Sequence, residues 1–154
     1  MNRARLILAA ALLLVSACSA PTSSGTQQPK ADPTKEPKYA QTAEELAGLA
    51  RDARAAFEAG KRDEAAALIE KAQPLARQLL DAGQPTYAAM KAVSEIDDVY
   101  ARMLLGNRHY GSARLLFQKN LARWKTWPEQ TDETGKLRKQ AEDGIAECDR
   151  KMTQ

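Results

Sequence analysis

The chain is poor in the residues that carry chemistry. Its 154 residues include one histidine and two cysteines, and aromatics make up 5%. Between residues 39 and 154 the inventory shrinks to His109, Cys148 and two serines, Ser94 and Ser112. A zinc site needs clustered His and Cys ligands, which one of each does not supply. No G-x-S-x-G, H-E-x-x-H, phosphate loop or G-x-G-x-x-G is present, so hydrolytic, metal and nucleotide chemistry have no recognisable seat. The expectation is a protein that is not an enzyme, with no cofactor and no metal. Net charge is scarce as well. Of the formal +3, removing Arg3 and Arg5 leaves 21 basic against 20 acidic residues. Removing Lys30, Lys35 and Lys38 against Asp32 and Glu36 then leaves 18 against 18. A neutral domain has no electrostatic footprint for nucleic acid.

Only one long hydrophobic run exists, Leu6 to Val15, behind Arg3 and Arg5. Such a run rises roughly 15 Å as a helix, about half a bilayer core, so it cannot span one unaided. A basic start, a short apolar core and then small residues is the layout of a secretory signal. Val15-Ser16-Ala17-Cys18 resembles the lipobox of bacterial lipoproteins, with valine where leucine is commoner. That resemblance implies a signal peptide over 1–17, cleavage before Cys18, and lipid on its sulfur. Ser19, rather than aspartate, implies the outer membrane, with the domain facing the periplasm. Residues 19–38 hold Pro21, Pro29, Pro33 and Pro37 among Ser, Thr, Gln and Lys. They bury too little to offset their ordering entropy, so 18–38 reads as a lipidated tether, about 25 Å long as a relaxed coil.

Residues 39–154 read as all-α, about five helices in antiparallel hairpins. Thr42-Ala-Glu-Glu45 has the pattern of a capping box that opens the first helix, and Gly60 is placed to end it. Asp63 starts the second, in which Pro74 should kink or split the run. The third extends from about Thr86 to Leu105 and stops near Gly106. The fourth carries Tyr110, Ala113, Phe117, Leu121 and Trp124. The fifth carries Leu137, Ala141, Ile145, Cys148 and Met152 on one face, which buries the lone thiol. His109, beside the turn before the fourth helix, reads as a solvated loop residue.

Two of these hairpins look alike. "FEAGKRDEAAALIEKA" (57–72) resembles the middle of a tetratricopeptide repeat, with Gly60 at the turn, Ala65 at the small site, then Ile69 and Ala72. "LLGNRHYGSARLLFQKN" (104–120) is a weaker copy, with Asn120 where alanine is expected. Ala65 and Ala113 lie 48 residues apart, against about 34 in that repeat. The domain is thus expected to be tetratricopeptide-like or an irregular helical bundle, with the fifth helix as cap.

On the tetratricopeptide register, Arg54, Phe57, Glu58, Asp98 and Arg102 line a concave face and are the candidate partner contacts. Glu95, Asp98 and Arg102 otherwise read as a charged solvent face with an i,i+4 ion pair. "RWKTWP" adds Trp124 and Trp127 beside Arg123 and Lys125, the composition of a binding hot spot if exposed, or of core anchoring if not. The expected function is that of a non-enzymatic adaptor, holding an envelope protein of unknown identity at the membrane through its N-terminal lipid. Pilotins, small helical lipoproteins that chaperone secretin subunits, share this size and anchor. A peptidoglycan-associated factor and a small-ligand carrier are the alternatives.

Overall fold

The computed structural model describes residues 32–154; Cys18, the signal peptide and most of the tether lie outside them. A short 3-10 turn, Pro33–Lys35, precedes α1 (Pro37–Glu58), α2 (Arg62–Leu80), α3 (Tyr87–Gly106), α4 (Tyr110–Thr126) and α5 (Asp132–Met152). The fold is all-α, and there is no strand among the described residues.

The first helix begins five residues before Thr42, at Pro37. Proline suits the first helical position because its missing N–H would have no partner there. The added turn buries Tyr39, whose hydroxyl donates to the Leu79 carbonyl at 3.1 Å. Thr42 lies inside the helix and its Oγ1 donates to the Lys38 carbonyl at 2.9 Å. A tertiary contact has overridden a local capping signal, and the last residues assigned to the tether belong to the folded unit.

Pro74 neither splits nor ends α2, which runs through it to Leu80. Pro74 and Glu70, whose carbonyl loses its partner, are both exposed, which leaves that carbonyl within reach of water. Asp63 and Glu64 occupy the first turn, where the helix dipole favours acids.

The two hairpin turns are built alike. After α1, Gly60 adopts φ 76°, the Lys61 N–H donates to the Ala56 carbonyl and the Gly60 N–H to that of Phe57. After α3, the N–H of His109 donates to Leu104 and that of Arg108 to Leu105. Both are Schellman motifs. The left-handed position in the second is taken by Arg108, at φ 65°, and not by the expected stop Gly106, which is still helical. A side chain there is strained by about 1 kcal/mol or more.

Packing is serial. α1 lies against α2 and α3, α3 also against α4 and, less extensively, α2, and α4 against α5, while α5 barely touches α3. Leu46, Ile69, Leu79, Val93 and Val99 fill the core between the first three helices. Its many alanines, among them Ala50, Ala53, Ala72 and Ala89, let the backbones approach closely. A second cluster joins Ala101, Ala113, Phe117 and Cys148. The Phe117 ring lies on Gly144, where a Cβ would come within 2.6 Å of it. Full burial of such a ring contributes about 1.5–3 kcal/mol. Met152, the last residue of the α5 stripe, is exposed because the core ends before it.

The two turns make opposite predictions. Arg108→Gly relieves strain and should raise stability by about 1 kcal/mol, whereas Gly60→Ala should lower it by about 1–2 kcal/mol. Urea unfolding midpoints of the two variants check both signs.

Candidate functional site

Four of the expected contact residues come together where α1, α3 and α5 face one another. Asp98 is the centre. Its side chain is 5% exposed and its Oδ2 accepts from Arg102 Nε at 2.9 Å and from Arg54 Nη2 at 3.1 Å. The i,i+4 pair with Arg102 is as expected, but the solvent-face reading is overturned. Asp98 points between helices, and its charge is sustained there by the two guanidiniums. Among the described residues Oδ1 takes no hydrogen bond, because both arginines converge on Oδ2. Arg102 is further held by the face of Phe117, 5.9 Å from its ring centre.

Two cavities flank this triad. The inner one, about 260 Å³, is bounded by Arg54, Asp98, Ser94 and Glu95, by Asn120 of α4, and by Leu137, Gln140 and Ala141 of α5. Its lining includes three polar residues, Ser94, Asp98 and Asn120, that are each at least nine-tenths buried. Asn120 is no defect in the repeat pattern. Its Nδ2 donates to the Ser94 carbonyl at 2.9 Å and its Oδ1 accepts from Arg123 at 2.6 Å. The outer cavity is an open groove of about 760 Å³ reached by Phe57, Arg102, Leu105, Arg108, Tyr110, Glu147 and Lys151. Glu58 is exposed and lines neither cavity. The contributions of Arg108, Glu147 and Lys151 were not foreseen. The only signal for the last two is their i,i+4 spacing, on the flank of a stripe assigned to core.

The tryptophans belong elsewhere. Trp124 has no exposed surface, and its indole N–H donates to Ser94 Oγ at 2.8 Å, so it is a core residue and not a partner contact. Arg123, expected to flank an exposed Trp, turns inward to Asp97 and Asn120 and its side chain is 10% exposed. Trp127 is half-buried, with its ring centre 5.8 Å from Tyr87 and 5.9 Å from Trp124. With Pro85, Tyr87 and Pro128 it borders a separate hollow that shares no residue with the groove.

Burial, followed by the nearby Glu133 carboxylate, pushes the Tyr87 phenol up to about 12. Glu133 is engaged by Lys91 at 2.6 Å. Although close enough to perturb the phenol, it does not meet hydrogen-bonding geometry, and the Tyr87 hydroxyl is left unpartnered among the described residues. Burial likewise raises the Cys148 thiol above its ordinary value, which keeps it protonated and unreactive at neutral pH. His109 is exposed at the start of α4. Among the described residues, no group of three His, Cys, Asp or Glu could hold a metal ion. No described helix is long and apolar enough to cross a membrane.

Two measurements check this geometry. Asp98→Asn removes the shared anion while its arginines keep partial access to water, so it should cost about 2 kcal/mol in urea unfolding. A free phenol titrates at about 10; since the folded value is higher, stability is intact below that pH and falls as pH climbs towards about 12. Tyrosinate absorbance should show this late ionisation step in the native chain and lose it in Tyr87→Phe.

No family model matches this chain, and no curated protein or solved structure matches it.

Proposed function

We propose that this chain is a bacterial outer-membrane lipoprotein, anchored through lipid on Cys18, whose helical domain binds a partner protein in the periplasm and catalyses nothing. In this reading the serial helices are tetratricopeptide-like hairpins, with α5 as the capping helix. The α1–α3–α5 groove is the binding surface, and a pilotin-like or assembly role follows from holding the partner at the membrane. One observation carries the reading: of the five residues chosen from repeat register, four, Arg54, Phe57, Asp98 and Arg102, line the two cavities that flank the Asp98 triad. An open groove lined by both charged and apolar side chains suits a peptide or helix better than a reaction centre. A tether would let such a domain search for a membrane-bound target at raised effective concentration.

A second reading, a small-ligand carrier, draws support from the inner cavity, where three buried polar side chains converge. Site-specific photo-crosslinking in intact bacterial cells separates the two. A crosslinker at position 57 should capture one discrete protein, and Arg102→Ala should abolish the capture. A crosslinker at position 115, on the exposed outer side of α4, should not capture it. Capture at both positions alike, or at neither, overturns the groove as the binding surface.

A further inference from the structure

Arg108 stands where its own chain shows that glycine is the easier choice. The two turns carry the same hydrogen bonds, and at the matching place in the first one the left-handed residue is Gly60. A strained side chain that persists points to a use for that side chain. What Arg108 borders is the outer cavity, and the charges there are unbalanced. Arg102, Arg108 and Lys151 face it against one acidic side chain, Glu147, with Gln154 beside them. Arg102 shares Asp98 with Arg54, and neither Arg108 nor Lys151 forms an ion pair among the described residues. The remaining wall is apolar, from Phe57, Leu105 and Tyr110.

We propose that this cavity anchors an acidic segment of the partner protein. Its carboxylates meet Arg102, Arg108 and Lys151, and an adjacent aliphatic side chain packs against Phe57, Leu105 and Tyr110. The proposal rests on the adaptor reading and narrows it to a partner of stated chemistry. Charge complementarity selects the occupant: a basic segment would meet three cations, and a purely apolar one would desolvate them without return. The Arg102 guanidinium, already held by Asp98 and by the Phe117 face, loses little freedom when it binds a carboxylate.

The test uses the full chain in mild detergent and labelled peptides read by fluorescence anisotropy. One peptide is built on Leu and Glu, a second has Gln for Glu, and a third has Lys for Glu. The Leu-Glu peptide should bind, and added salt should weaken it. The Gln and Lys versions should bind at least about tenfold more weakly. Arg108→Gly is the informative variant, because it should lower affinity about tenfold while raising the unfolding midpoint. Lys151→Gln, on an exposed last turn, should weaken binding without altering the fold.

Equal binding of the Glu and Gln peptides overturns the proposal, as does unchanged affinity in Arg108→Gly or absence of binding up to about 1 mM. Inorganic phosphate binding as tightly as the Leu-Glu peptide also overturns it, since the site would then be a simple anion pocket. If the peptides fail while the crosslinker at position 57 still captures its Arg102-dependent protein, the acidic-segment claim falls and the adaptor reading stands. Peptide binding without any crosslinked protein overturns the adaptor reading and, with it, the assignment of the acidic segment to a partner protein.

Discussion

The arrangement depends on two consecutive aspartates in the middle of α3. Neighbouring residues on a helix point about 100° apart, so Asp97 and Asp98 address different partners. Asp97 accepts from Arg123 at 2.5 Å and pairs with Lys119 at 3.2 Å, both on α4. Asp98 accepts from Arg54 of α1 and from Arg102 one turn along its own helix. Through this doublet the middle helix is pinned to the hairpin before it and to the helix after it. Buried or half-buried charges persist only when paired, so the pairing constrains how far α3 can slide or rotate. The groove follows, because the triad on Asp98 is the wall between its two cavities.

Around that constraint the chain repeats a hairpin without repeating its details. Both turns use one hydrogen-bond pattern, and Ala65 and Ala113 are both fully buried, where close helix approach leaves room for a methyl group only. The differences fall on the side that meets α5. Ile69 is answered by Phe117, whose ring needs the bare surface of Gly144. Ala72 is answered by Asn120, whose amide ties Ser94 to Arg123. Gly60 is answered by Arg108. In each case a residue that suits a self-contained hairpin is exchanged for one that serves a neighbouring helix or the open groove.

Much of the fold was legible from apolar spacing, because a buried stripe at helical period has few other solutions. Helix ends were less so. A Thr-x-x-Glu pattern is satisfied locally at Thr42, and nothing local reveals that Tyr39 finds a carbonyl on α2. Pro74 illustrates the same gap: its cost depends on whether water can reach Glu70. The candidate site was half legible. Register placed Arg54, Phe57, Asp98 and Arg102 beside the two cavities, whereas Glu58 lies outside both and Trp124 is core. Charge patterning could not tell that Asp98 points inward, since α3 is covered by neighbours on three sides.

What the sequence alone determined is the helical class, the number of helices, the alanine-rich stripes and the scarcity of catalytic side chains. These are properties of short spans and of composition, which neighbouring helices do not alter. Only the tertiary structure decided which charges are buried, that Trp124 is core, and that Arg108 replaces glycine beside an open basic groove. Those outcomes depend on which helix lies opposite, and burial and pairing are properties of two surfaces in contact, which no single stretch of chain encodes.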